Sequence, residues 1–262
     1  MPNVPTHGNY VGYYTKRPFL NDERLSFLPA DLFKGKRVLD VGCNEGFVTC
    51  EIAQCHDASY TVGVDIDNSL IQAAWRRRRV VWSLQEPTLP VESNANHDDE
   101  PIVRARPSYF PASCEHEFGS LPVPPSQNRG KTNFPHNMGF RHANWVNEHI
   151  PEDKDGYDVV LGFSISKWIH LNDGDEGLEA FFRRVFGVLK SGGVFVLEPQ
   201  PWDSYAKAKK MDQRLKENGN RLKHRPEDFG RILREMGFED VEHIGDVGVG
   251  GFRRPLHLYT KP

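Results

Sequence analysis

From Val38 to Gly46 the chain reads Val-Leu-Asp-Val-Gly-Cys-Asn-Glu-Gly, and an acid, Asp65, closes the apolar run Tyr60 to Val64 further on. Gly42 allows a tight backbone turn at the end of a strand. Gly46 would let a ligand approach the start of the following helix. An acid ending the second strand, about twenty residues after the turn, can accept hydrogen bonds from ribose hydroxyls. A dinucleotide site asks for G-x-G-x-x-G and a helix N-terminus open to pyrophosphate. Here the pattern is D-x-G-x-N-x-G, with Glu45 beside the helix start. An acid there suits a cationic or zwitterionic ligand better than a pyrophosphate. S-adenosylmethionine, with a sulfonium, an amino group, a ribose and no phosphate, fits best. A dinucleotide and a turn without a ligand remain the alternatives.

These residues need a strand–turn–helix–strand frame. Lys36 to Val41 is a short apolar run, Phe47 to Ala53 has helical spacing, and Tyr60 to Asp65 is β-branched. Such alternation implies a parallel α/β sheet. Tyr157 to Phe163 reads as a buried strand. Leu178, Phe181, Phe182, Val185 and Leu189 give a helical stripe over Glu176 to Leu189. Ser191-Gly192-Gly193 should stop that helix before a strand at Val194 to Leu197. Phe229, Ile232, Leu233 and Met236 predict a last helix ended by Gly237, and Val241 to Ile244 and Leu256 to Tyr259 a closing pair of strands. Residues 84–135, rich in Pro, Ser, Asn and charge, read as an irregular, partly disordered insertion in one domain spanning residues 1–262.

The 262 residues, 38% hydrophobic and 26% charged, suit a globular chain able to bury a full core. No apolar run reaches the roughly 20 residues that span a bilayer, and Met1 to Lys16 lacks a secretory pattern. No membrane partner is expected. The net charge of -3 means that nucleic-acid binding would need a local basic patch. Two stretches offer one: Arg76 to Arg79, whose four side chains point around a helix, and the cations from Lys207 to Arg225. Cys43, Cys50, Cys55 and Cys114 form no C-x-x-C pair. A disulfide framework and a zinc ribbon are both weak readings, no metal is expected, and a reducing cytosol or nucleus fits.

Further stretches carry a resemblance: Gly8-Asn9-Tyr10, Tyr13-Tyr14, Phe110-Pro111-Ala112-Ser113, Phe134-Pro135, and above all Ser166-Lys167-Trp168-Ile169-His170-Leu171-Asn172, Gly174-Asp175-Glu176-Gly177-Leu178, Leu197-Glu198-Pro199-Gln200-Pro201-Trp202 and Gly251-Phe252-Arg253-Arg254-Pro255. Together with the turn at Val38 to Gly46, they resemble the RNA 5′ methylphosphate capping enzymes. The resemblance spans the chain except the insertion and Lys207 to Lys223. It implies a Rossmann-like class I S-adenosylmethionine-dependent methyltransferase with a mostly parallel seven-stranded sheet. Tyr14, Arg24, Gly42, Cys43, Asn44, Asp65, Ile66, Asn144, Trp145 and Phe163 would then line the cofactor. Tyr13, Arg17, Lys167 and His170 would face an RNA 5′ phosphate, and Phe252 and Arg253 would sit by the first nucleotide. Trp145 departs from a tyrosine common at that place, and either ring could stack on adenine. The implied partners are a small noncoding RNA with a 5′ phosphate end and a La-related RNA-binding protein. The chain would act as a monomer in nucleus or cytoplasm.

The chemistry is coherent. A terminal phosphate is already anionic, so attack on a sulfonium methyl needs alignment more than a general base. Arg17, Lys167 and His170 could supply cations and donors for that alignment. Three functions remain in play: methylation of the γ-phosphate or a 5′ monophosphate of an RNA, an RNA 5′-end clamp that assembles a ribonucleoprotein, and a small-molecule methyltransferase.

Overall fold

Runs such as Val38-Leu39 and Val159-Val160-Leu161 are apolar on both faces, which suits strands covered on both sides by helices. A computed structural model describes residues 5–9, 22–84, 112–248 and 253–262, and shows that arrangement. In chain order the elements are α1 (Glu23–Phe27), β1 (Arg37–Val41), α2 (Phe47–Cys55), β2 (Tyr60–Asp65), α3 (Asn68–Leu84), α4 (Ala112–Phe118), α5 (Ser126–Arg129), β3 (Met138–His142), β4 (Tyr157–Phe163), α6 (Ser166–Val188), β5 (Leu189–Glu198), α7 (Asp203–Ala208), α8 (Gln213–Arg221), α9 (Phe229–Glu235), β6 (Glu242–Val247) and β7 (Arg254–Thr260). The strands form one seven-stranded sheet in the order β3-β2-β1-β4-β5-β7-β6. β7 alone runs antiparallel to its neighbours β5 and β6.

Chain connections diverge between β1, which leads to β2, and its other neighbour β4. The carboxyl ends of the strands there open a crevice, where ligands bind in open α/β sheets. One side of the sheet is filled by Phe181, Phe182 and Val185 of α6 with Phe195, Phe229 and Tyr259. The other is filled by Val48 and Ile52 of α2 with Val38, Leu161, Val196 and Leu258. At about 2–3 kcal/mol for each fully buried large apolar side chain, these two layers hold the strand ends in register.

Three expectations change in detail. α6 starts ten residues before Glu176, and its two segments meet at Gly174, whose φ of 72° and ψ of -170° interrupt the helix. Lys167 to Asn172 is therefore the first arm of a kinked helix. Ser191-Gly192-Gly193 does not stop a helix. It lies inside β5, where pairing jumps from Tyr157↔Leu189 to Val159↔Val194 and the extra residues form a bulge. The described part of the insertion is not irregular throughout. It holds α4 and α5, and it is pinned to α3 where Ser83 Oγ accepts the Leu121 N–H at 2.7 Å and Trp82 Nε1 donates to the Pro122 carbonyl at 3.2 Å. Residues 85–111, on which much of the disorder expectation falls, lie outside the described residues.

Candidate functional site

At the crevice the β1–α2 turn folds as its residue types require. Gly42 and Gly46 have φ of 76°, and Asn44, a residue that tolerates the left-handed region, has φ of 51°. A Cβ on Gly42 would come within 2.2 Å of Ile165 Cγ2. A Cβ on Gly46 would lie 2.6 Å from the Phe140 ring. Gly46 therefore serves helix–sheet packing and is not on the cavity wall, contrary to the sequence expectation of ligand approach there. The turn is locked by Asp65, whose carboxylate accepts the Asn44 and Asp67 N–H groups at 2.9 Å each.

The crevice is a cleft of about 700 Å³. Its wall includes the strand-end residues Asp40, Gly42, Asn44, Asp65, Ile66, Asn144, Trp145 and Phe163, with Arg24 beside Phe163. The nine cofactor candidates that lie within the described residues are thus all on the wall except Cys43. Burial pushes the Asp65 carboxyl up to about 6, against the pull of its backbone donors Asp67, Asn44 and Ile66. Asp40, which accepts the Thr49 hydroxyl at 2.6 Å, is likewise pushed up to about 6 by burial. These two buried acids supply the negative end of the cleft. Glu45, given that role on sequence, does not line it.

The other end is positive. Lys167 sits on the first arm of α6, 9% exposed, with Nζ 4.8 Å from the centre of the Trp168 ring. Burial, then Arg254 and Lys207, lower its pKa to about 8. Lys207 on α7 and Arg254 at the start of β7 share this wall with Ser164, Gln200 and Ser204. The Ser204 hydroxyl is buried and has no hydrogen-bond partner among the described residues. Gln200 organises the arm of α6 by accepting the Lys167 N–H at 3.1 Å and donating to the Ser164 carbonyl.

The structure separates three other candidates from the cleft. His170, one helical turn beyond Lys167, is fully buried on the side of α6 that faces away from the cleft wall. Its Nε2 meets Asp175 at 2.8 Å and its Nδ1 meets the Tyr205 hydroxyl at 3.3 Å. Burial lowers its pKa despite the acid. That is the geometry of a core histidine bridging the two arms of α6. The Cys43 thiol lies under the turn, near Gly63, and burial raises its pKa well above the usual thiol range. Arg253 points to solvent, 67% exposed, with Asp246 3.9 Å away. Tyr13, Tyr14, Arg17 and Phe252 lie outside the described residues.

Sequence reasoning passed over Asp40, Ser164 and Arg254 as site residues, and offered Lys207 only as part of a basic stretch. Arg254 was one place from the residue chosen. Successive strand side chains point to opposite faces, and the phase of β7 is not readable in Arg-Arg-Pro. Of the earlier basic run, Arg77 lies over the Phe47 ring at 3.0 Å and Arg78 over Trp75 at 4.6 Å, so both are engaged in packing.

Sheet order, the glycine turn and the acid at the end of β2 define a class I S-adenosylmethionine-dependent methyltransferase fold. The N-methyltransferase NodS of Bradyrhizobium japonicum, solved with S-adenosyl-L-homocysteine, shares it with a TM-score of 0.52, at 11% identity over 92% of this chain and 86% of that one. Residues 157–261 match the family described as Bicoid-interacting protein 3 (Bin3). The chain is 38% identical to the 7SK snRNA methylphosphate capping enzyme of Mus musculus, over 97% of its own length and 40% of the mouse protein's. It is 32% identical to the U6 snRNA methylphosphate capping enzyme Amus of Drosophila melanogaster, over 97% of this chain and 74% of that one. The chain belongs to the Bin3 family of RNA methylphosphate capping enzymes. It spans about two fifths of the length of the mouse relative.

Proposed function

We propose that this chain transfers a methyl group from S-adenosylmethionine to the 5′ terminal phosphate of a small noncoding RNA, the γ-phosphate before a 5′ monophosphate. The observation that carries this reading is the polarity of the cleft: Asp40 and Asp65 at one end, Lys167, Lys207 and Arg254 at the other. A cofactor with a ribose and a cationic centre fits the acidic end, where Asp65 can accept from hydroxyls and Ile66 offers apolar surface to a base; the Trp145 ring, 2% exposed and packed on Phe181 and Arg184, backs this wall from the core and is not placed to stack on adenine. Bound there, the cofactor would supply an electrophilic methyl group. The chain's own task is to bind and orient. Lys167 and Lys207 place point charges beside a phosphate, and Arg254 offers a planar fork of donors. No proton need be removed, because a terminal phosphate oxygen is already anionic at neutral pH. Burial of Lys167 strengthens its attraction to an anion, since the wall around it excludes water.

The RNA partner follows from this chemistry and from the names of the relatives. A La-related RNA-binding protein as second partner, a monomeric state, and a nuclear or cytoplasmic location are part of the same proposal, as the sequence resemblance implies. Among the described residues, no helix is long and apolar enough to cross a membrane. The test is transfer of labelled methyl to a 5′-triphosphate RNA, with a 5′-hydroxyl RNA of the same sequence as control. Label should enter only the phosphorylated RNA and should protect its end from phosphatase. A cofactor-binding preparation that labels neither RNA, or labels both alike, would refute the reading.

A further inference from the structure

Arg254 is tied to the rest of the cleft by a chain of buried polar contacts. Its Nη1 donates to the Ser164 hydroxyl. That hydroxyl donates in turn to Glu198 Oε2 at 2.5 Å. The same oxygen accepts from Arg24 Nη1 at 2.9 Å. Arg24 is clamped by Asp22 through Nε at 2.8 Å and Nη2 at 2.6 Å, and lies 4.4 Å over the Phe163 ring. Asp22, Arg24, Glu198 and Arg254 are each less than 9% exposed. They carry two positive and two negative charges, so the chain is neutral as a unit. The net positive charge at this end then rests on Lys167 and Lys207, which suits a phosphate carrying between one and two negative charges.

Ser164 is the hinge of this chain, and its backbone is unusual. It follows β4 with φ of 59°, a left-handed conformation that is strained for a non-glycine residue. Its N–H donates to the Glu198 carbonyl at 3.1 Å, and its carbonyl accepts from Gln200. Neighbouring strand ends thus hold a strained residue so that its hydroxyl stands between a carboxylate and the Arg254 guanidinium. A plain core contact would need no such residue at the cleft wall. A guanidinium anchored at Nη1 has that end of its donor fork held in place, and a donor of fixed position favours in-line transfer to one chosen oxygen.

We propose that Arg254 grips the terminal phosphate and that Ser164 is the positioning residue that aims it, while Lys167 and Lys207 supply charge. This assignment rests on the phosphate reading given above. The test uses the full chain with two RNAs of one sequence, ending in 5′-triphosphate or 5′-hydroxyl, and measures the ratio of their affinities. S-adenosyl-L-homocysteine affinity and melting temperature are measured beside it. Arg254→Ala is expected to lower the ratio at least tenfold. Ser164→Ala, which keeps every charge, is expected to lower it about threefold to fivefold, with S-adenosyl-L-homocysteine affinity unchanged. Should Arg254→Ala fail to fold, Ser164→Ala decides. An unchanged ratio in either folded variant overturns the assignment. So does a parallel loss of S-adenosyl-L-homocysteine affinity, which marks a purely structural role. A wild-type ratio near one instead fails the phosphate reading itself, and this assignment with it.

Discussion

Lys167 should make the ligand-free protein less stable than it could be. Its pKa falls from the ordinary 10.5 to about 8, chiefly through burial. At about 1.4 kcal/mol per pH unit, holding its proton in the folded state costs about 3 kcal/mol. The 9% exposure leaves little solvent to screen that cost. The Trp168 ring 4.8 Å from Nζ returns up to about 1 kcal/mol, leaving about 2 kcal/mol. Below pH 8 both folded and unfolded chains hold the proton, and the folded one bears the full cost. Between pH 8 and 10.5 only the unfolded chain holds it, so stability rises with pH. Lys167→Met keeps the aliphatic stem and removes the charge. It should raise the melting temperature by about 4 °C at pH 7, with the gain shrinking as the pH rises above 8. Thermal melts of both proteins across that range test this, read by circular dichroism. A variant less stable than wild type at pH 7, or a gain that does not change with pH, would show that the lysine is not held charged against burial.

Three other perturbations probe separate parts of the site. Asp65 and Asp40 are both pushed up to about 6, so each protonates as the pH drops below that value and loses an acceptor. Titration calorimetry should find S-adenosyl-L-homocysteine binding at pH 5 weaker than at pH 7.5 by about tenfold; equal affinity at both would remove these acids from the cofactor site. For stability the sign is opposite to that of the affinity, because the unbound protein is relieved of two buried charges as pH falls from 6 toward 3.8. Gly42→Ala combines a φ of 76° with a Cβ 2.2 Å from Ile165 Cγ2, and should cost about 2–4 kcal/mol in urea unfolding. His170→Ala removes the ring donor to Asp175, which keeps only the Lys223 and His224 N–H groups, and opens a hole beside Tyr205, so stability should fall by about 2 kcal/mol or more. If His170→Ala melted like wild type and yet lost all methyl transfer, its placement in the core would be the wrong account of it.

The frame and the cofactor end were readable because their signals are local. A β-branched run, a glycine turn and an acid at the next strand end each act within a few residues, and the resulting Gly42, Asn44 and Asp65 meet on one wall. Sequence reading failed where side-chain direction or long-range pairing decides. Lys167 and His170 stand one turn apart on α6, and only packing against Tyr205 and Phe229 reveals that His170 turns to the core. Ser164 and Glu198 are distant in sequence, and their meeting follows from the parallel pairing of Phe163 with Glu198. The antiparallel pairing of β7 with β5 explains Arg254, since it carries the start of β7 to the same edge.

The pKa shifts across the cleft share one direction of meaning. Asp40 and Asp65 are raised and Lys167 is lowered, so burial opposes the charged form at both ends. A fold selected for stability alone would replace such groups with apolar ones, as buried ion pairs often can be without loss. The Asp22–Arg24–Glu198–Arg254 chain shows that this protein can neutralise buried charge internally where it is structural. Lys167 lies within reach of that chain's electrostatic influence and is nonetheless left to bear its cost, with Arg254 and Lys207 adding to it. Among the described residues no acid pairs with Lys167, so the compensating charge is the one an anionic ligand brings. A ligand that brings positive charge to Asp40 and Asp65 and negative charge to Lys167 relieves both ends together, and it does so only when bound with its cationic part at the β1–β2 edge and its anionic part toward α6 and β7.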